Sequence, residues 1–130
     1  MPRFRLREAA DLLGVSDDTV RRWVDAGKLT TSTDDAGRMV VDGAALARFA
    51  QEQANPPPDS GVRESARNHF VGLVTRVTRD TVMAQVEMQC GPYRVVSLLS
   101  REAADDLALE PGVRAVASVK STNVVIEVPA

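Results

Sequence analysis

Apolar residues recur every three or four positions near the start of the chain. Leu6, Ala9, Ala10 and Leu13 share this spacing, which places them on one face of a helix. Gly14 comes directly after them, and a glycine in that position is a common end of a helix. The pattern predicts a first helix that buries one face and ends at Gly14.

A second helix is predicted between Ser16 and Gly27. The Ser16 hydroxyl can accept a hydrogen bond from a free amide of the first turn and so cap the helix. Val20, Trp23 and Val24 form its apolar stripe, so we interpret Trp23 as a core residue. Two short helices joined by a turn that contains glycine make a helix-turn-helix.

Two β-like runs and a third helix follow the helix-turn-helix. The runs are residues 28–31 and 38–41, and the turn-rich segment 34–37 between them indicates a hairpin or wing. Asp42 can cap the third helix. The positions of that helix that we expect to face inward are Leu46, Phe49 and Ala50.

The second half of the chain changes to an alternating pattern. Val82 to Cys90 predicts a half-buried strand, and residues 70–77 predict another, in which the alternation slips around Gly72 as at a bulge. The other predicted elements are strands at 93–99, 113–120 and 124–128 and a helix at 101–109 capped by Ser100. Five short strands with a helix between the third and fourth follow the order of an oligonucleotide-binding-like (OB-like) barrel.

A proline-rich segment separates the two patterns. Prolines 56–58 cannot donate backbone hydrogen bonds, and small polar residues follow them, so the segment can continue neither a helix nor a sheet. We interpret residues 55–62 as a linker between domains 1–54 and 63–130. The predicted fold class is α+β, with a small winged helix-turn-helix domain followed by a five-stranded OB-like β-barrel.

Charge and cysteine content narrow the possible partners. The net charge of the 130 residues is −2, so nucleic-acid binding would have to rest on a local basic patch. The single cysteine, Cys90, allows neither an intramolecular disulfide nor a thiolate metal cluster, and we interpret it as a small core residue. The sequence shows neither an apolar signal segment nor a long apolar run, so we expect a cytoplasmic protein without membrane attachment.

The run LREAADLLGVSDDTVRRWVDAGKL, within Phe4 to Phe49, resembles the winged helix-turn-helix of the MerR and excisionase families. The resemblance implies binding to double-stranded DNA. Thr19, Arg22 and also Arg21 would project from the second helix into the major groove, and Lys28 and Arg38 would bond phosphates from the wing. The wing departs from the family pattern because Asp34 and Asp35 stand where cationic residues are expected.

The runs SARNHFVGLVTRVTRDTVMAQVEM and LLSREAADDLALEPGVRAVASVKSTNVVI, within residues 64–128, resemble the molybdate-binding Mop domain, also called TOBE, of the molbindins. The resemblance implies a site for molybdate or tungstate. Such a tetrahedral dianion needs converging hydrogen-bond donors and positive charge. The residues that the resemblance points to are Ser65, Arg67, Lys120 and Ser121, with Asn68 and Thr122 beside them. We expect no metal coordinated directly by side chains and no other cofactor.

The resemblance also implies a homo-oligomer, a dimer or a hexamer, because Mop domains build their oxyanion sites where copies meet. Together the two resemblances predict an oxyanion-responsive transcriptional regulator. An oligomeric molybdate storage or buffering protein, whose N-terminal domain serves assembly or partner docking, is the alternative, and the acidic wing favours it. Single-stranded nucleic-acid binding by the barrel would need more aromatic residues than Phe70 and Tyr93. We predict no enzymatic activity, because the sequence contains one histidine, His69, and no paired-acid, phosphate-loop or metal motif.

Overall fold

The structure is a computed structural model that describes residues 2–56, 59 and 61–129. It divides into two compact units, residues 1–56 and 57–130. Pro57, Pro58 and Ser60 of the predicted linker lie outside the described residues. None of the helices in the described parts of the chain is long and apolar enough to cross a membrane.

The N-terminal unit combines three helices with a small antiparallel sheet. Its elements are, in chain order, β1 (Arg3–Arg5), α1 (Leu6–Leu13), α2 (Asp17–Asp25), β2 (Thr31–Thr33), β3 (Met39–Asp42) and α3 (Gly43–Gln53). The strand order is β1-β3-β2, and β3 is the central strand. β1 was not predicted from the sequence, and β2 begins where the predicted run 28–31 ends.

The predicted helix ends of this unit are confirmed. Gly14 has a left-handed conformation at the end of α1, with a φ of 68°. The Ser16 hydroxyl accepts from the amide of Thr19, and the Asp42 carboxylate accepts from the amide of Ala45. The core contains the predicted stripe residues, and Trp23 packs edge-on against Phe49 with ring centroids 4.9 Å apart.

The C-terminal unit is a four-stranded antiparallel sheet that curls as a half-barrel. Its elements are β4 (Asn68–Arg79), β5 (Met83–Cys90), β6 (Tyr93–Ser100), α4 (Arg101–Asp106), β7 (Arg114–Val119) and a 3₁₀ turn (Ser121–Asn123). The strand order is β6-β5-β4-β7. The alternation along β5 is confirmed, because its buried residues are Ala84, Val86, Met88 and Cys90. Ser100 caps α4 by accepting from the amide of Ala103.

In this unit α4 ends at Asp106, before the predicted limit of 109, and two strand features also differ from the expectations from the sequence. The register of β4 against β5 shifts between Val74 and Arg76, and not at Gly72. Residues 124–128, predicted as a fifth strand, belong to neither sheet of the described residues. A strand needs a partner backbone as well as apolar side chains, and the side chains of this segment are largely exposed in the single chain.

Candidate functional site

In the N-terminal unit, the predicted DNA-contacting residues fall into separate groups. Thr19 and Arg22 lie one turn apart on α2, and the Arg22 guanidinium donates to the Thr19 hydroxyl at 3.2 Å. Thr19 is half-buried and Arg22 is exposed, and Arg21 is exposed on another side of the helix. Lys28 is exposed in the turn after α2, and its amide donates to the carbonyl of Trp23.

A basic groove of about 400 Å³ brings Arg21 and Arg38 together. Arg5, the last residue of β1, and Arg7, in the first turn of α1, line the same groove, and they were not selected from the sequence. Asp17 is the acidic residue of the lining, so the groove carries an excess of positive charge. Periodicity could not identify Arg5 and Arg7, because their part in the groove depends on how β1, α2 and β3 pack.

The wing contains an ionic contact that reduces its cationic character. Asp34 accepts hydrogen bonds from the amides of Ala36 and Arg38 at 2.9 and 2.8 Å, and the Arg38 guanidinium donates to it at 3.2 Å. The bond from the Arg38 amide is the main reason why the pKa of the Asp34 carboxyl lies below its usual value. Asp34 thus fixes the turn of the wing and pairs with one of the predicted phosphate contacts.

In the C-terminal unit, one end of the sheet brings together two segments that are far apart in sequence. β4 and β7 are antiparallel, and their pairing places Asn68 opposite Val119. The Asn68 side-chain amide donates to the Val119 carbonyl at 3.0 Å. The segment that holds Ser65 and Arg67 therefore enters β4 beside the place where Lys120 follows the end of β7.

The predicted oxyanion residues are mostly open to solvent at this end of the sheet. Ser65, Arg67 and Lys120 are exposed, as are Ser121 and Thr122 of the 3₁₀ turn. Asn68 is half-buried and is engaged by the backbone of β7. The Arg67 guanidinium donates to the carbonyl of Glu64 at 3.4 Å. The arrangement offers hydroxyl donors and two cations on one edge of the domain.

Three further polar side chains meet beside these residues. His69 lies between the Ser118 hydroxyl, 2.9 Å from Nδ1, and the Ala66 carbonyl, 3.0 Å from Nε2. Glu64 Oε1 lies 3.4 Å from both His69 Nδ1 and the Ser118 hydroxyl. The sequence pattern identifies none of these contacts, because the register of β4 and β7 creates the cluster.

Fold and site together define a chain with a helix-turn-helix unit and an OB-like half-barrel unit. The helix-turn-helix domain family model matches residues 4–54, and the TOBE domain model matches residues 64–126. Molybdenum-pterin-binding proteins 3 and 2 of Clostridium pasteurianum are 36% and 33% identical to this chain over 63 residues. Each match covers 48% of this chain and 93% of the relative.

A solved structure shows the same half-barrel. The cytoplasmic molybdate-binding protein ModG, with molybdate bound, is 36% identical to this chain, with a TM-score of 0.52. That match covers 55% of this chain and 52% of ModG. The chain belongs to the TOBE family of Mop-type proteins and carries an N-terminal helix-turn-helix domain.

Proposed function

We propose that this protein binds molybdate or tungstate through its C-terminal domain and double-stranded DNA through its N-terminal domain, as an oxyanion-responsive transcriptional regulator. The observation that carries the proposal is the meeting of the Ser65–Arg67 segment with Lys120 at the shared end of β4 and β7. The molybdate-bound state of the similar protein ModG supports the choice of ligand. The proposed domain limits are 1–54 and 63–130, with a linker at 55–62.

The chemistry of the site suits a tetrahedral dianion. Arg67 and Lys120 together supply two positive charges, which equal the charge of molybdate in magnitude. The hydroxyls of Ser65, Ser121 and Thr122 and nearby backbone amides can donate to its oxygens. Binding of an oxyanion by donors of this kind requires no metal-coordinating side chain.

We propose that the oxyanion site is completed by a second copy of the chain, in a dimer or a hexamer. The exposed fractions of Val125, Ile126 and Val128 are 88%, 82% and 86% in the single chain. Exposure of such a run of apolar residues to water costs free energy. The half-barrel also has an open apolar cleft of about 340 Å³, lined by residues that include Val86, Met88 and Leu99. Oligomerisation would cover such surfaces.

The N-terminal unit supports DNA binding through two sets of side chains. Thr19 and Arg22 on α2 would read base edges in the major groove, since arginine can contact guanine with two hydrogen bonds. The arginines of the basic groove, with Lys28, would neutralise phosphates, which determine affinity but not sequence preference. A proline-rich linker would transmit a change in the orientation of one domain poorly to the other. The ligand would therefore act by changing how many DNA-binding domains are assembled together.

A storage or buffering protein is the second candidate, and the Asp34–Arg38 ion pair favours it. In this pair the Arg38 guanidinium is bound to Asp34, whereas a DNA-binding wing would use it to contact a phosphate. In that case the oxyanion-binding oligomer alone would perform the function. In both cases we propose a binding protein of the cytoplasm, without catalysis.

Isothermal titration of the full-length protein with molybdate tests the proposal, with sulfate as the control anion. Arg67→Ala and Lys120→Ala are each expected to weaken binding by about 10-fold or more, because each removes a charge-assisted hydrogen bond worth about 1.5–3 kcal/mol. Arg114→Ala, at the opposite end of β7, is the matched control and should bind as the wild type does.

Two results would contradict the proposal in different ways. A wild-type protein that does not bind molybdate would exclude the ligand itself. Wild-type affinity in both the Arg67 and the Lys120 variants would retain the ligand and show that the site lies elsewhere on the domain.

A further inference from the structure

The hydrogen bonds of His69 determine which of its ring nitrogens carries a hydrogen. A carbonyl oxygen can only accept, so the 3.0 Å contact between Nε2 and the Ala66 carbonyl requires a hydrogen on Nε2. In the neutral ring, Nδ1 then accepts from the Ser118 hydroxyl at 2.9 Å. The ring therefore joins the Ser-Ala-Arg-Asn segment to β7 by one bond on each side.

Both ends of this connection adjoin the proposed oxyanion residues. Ala66 lies between Ser65 and Arg67 in the chain, and Ser118 precedes Lys120 by two positions on β7. The His69 side chain is only 20% exposed, so solvent competes weakly for these bonds.

Glu64 adds a third contact to the same connection. Its carboxylate lies 3.4 Å from the Ser118 hydroxyl, whose single hydrogen serves either this carboxylate or Nδ1 of His69, and its backbone carbonyl accepts from the Arg67 guanidinium at 3.4 Å. The residue before Ser65 thus lies beside β7, and its carbonyl also restrains the Arg67 side chain. In this arrangement His69 supports the segment without contacting the anion itself.

We propose that His69 is a positioning residue, which holds the Ser65–Arg67 segment against β7 so that its donors converge with those of Lys120 and Ser121. The inference rests on the proposed oxyanion site. A segment held in place before the ligand arrives loses less conformational freedom on binding, so removal of the ring should weaken binding. Ser118 and Glu64 act through the same connection.

The test compares His69→Leu with His69→Gln in the full-length protein, by molybdate titration and by hydrogen exchange of the amides at 65–67. Leucine removes both bonds, whereas glutamine supplies one N–H donor and one oxygen acceptor in their place. We expect His69→Leu to weaken binding about 10-fold, because the segment must then be ordered when the anion binds. His69→Gln should stay within about threefold of the wild type.

Thr78→Leu, at the exposed far end of β4, is the matched control and should leave both measurements unchanged. Ser118→Ala removes the contacts of its hydroxyl with Nδ1 and Glu64 but leaves the bond from Nε2 to the Ala66 carbonyl, so its affinity should fall between those of the two histidine variants. Faster amide exchange at 65–67 in His69→Leu, with an unchanged thermal midpoint, would support the proposal.

Two outcomes would overturn it while molybdate binding itself stands. In the first, His69→Leu binds as tightly as the wild type. In the second, His69→Leu and His69→Gln lose affinity equally and both unfold at a lower temperature, which would assign the ring a general structural role. A wild-type protein that binds no molybdate would overturn the proposed function and this inference with it.

Discussion

Gly72 shows how a single residue limits the packing of the half-barrel. A Cβ atom at this position would overlap the carbonyl oxygen of Gln89 and would lie 2.7 Å from the sulfur of Cys90. The backbone of β4 therefore approaches β5 at a distance that only glycine allows. Burial raises the pKa of the Cys90 thiol, which fits its interpretation as a core residue.

Gly72→Ala is expected to destabilise the protein by about 1–3 kcal/mol, because the added methyl group must displace backbone atoms and a core sulfur. Urea denaturation of the full-length protein measures the change. An unchanged midpoint would show that β4 can move away from β5 without cost.

Caps and helix stripes were the elements that the sequence predicted best. Ser16, Asp42 and Ser100 each accept the expected amide, since capping involves residues only three positions apart. Strand limits were predicted less well. β1 and the later start of β2 follow from pairing with β3, and pairing partners are not visible in a local pattern.

The packing of β1, α1, α2 and β3 leads to a prediction about DNA affinity. Arg5→Gln, Arg7→Gln and Arg21→Gln should each weaken binding to duplex DNA, and the slope of log affinity against log salt should fall by about 0.9 for each phosphate that is no longer neutralised. Arg48→Gln, exposed on α3 outside the groove, is the matched control. Fluorescence anisotropy at several salt concentrations gives both the affinity and the slope.

Arg22→Ala belongs to the same experiment and should weaken DNA binding without a change in molybdate affinity. If Arg48→Gln reduced the affinity as much as the groove variants do, the loss of affinity would come from the lower total charge of the protein and not from the groove. If the groove variants kept the wild-type slope, the groove would not contact phosphates.

At the scale of the whole molecule, each of the two units has its own hydrophobic core, and each contains one of the proposed sites. The segment 124–128 is apolar and exposed, and it belongs to neither sheet of the described residues. Its sequence has the composition of a strand, so its need for a partner strand is the strongest support for the proposed oligomer.

Replacing Val125 and Ile126 together by aspartate should reduce the proposed oligomer to a smaller species, because charged side chains would oppose burial of this segment. Light scattering measures the mass, and molybdate titration of the same sample should show weaker binding if copies share the site. Glu127→Ala, within the same segment, is the control. A mass equal to that of the wild type would mean that the contact between copies lies elsewhere.

Local patterns in the sequence were enough to predict the class of each domain, the helix caps and the inward face of β5, whereas the residues of both proposed sites follow from the family resemblances and stay predictions. These features depend on spacings of a few residues, which periodicity and capping chemistry record directly. The contacts of Asn68 with Val119 and of His69 with Ser118, pairs separated by 51 and 49 residues, emerged only from the folded chain. Strand register depends on the packing of the whole sheet, and it alone brings such distant side chains together.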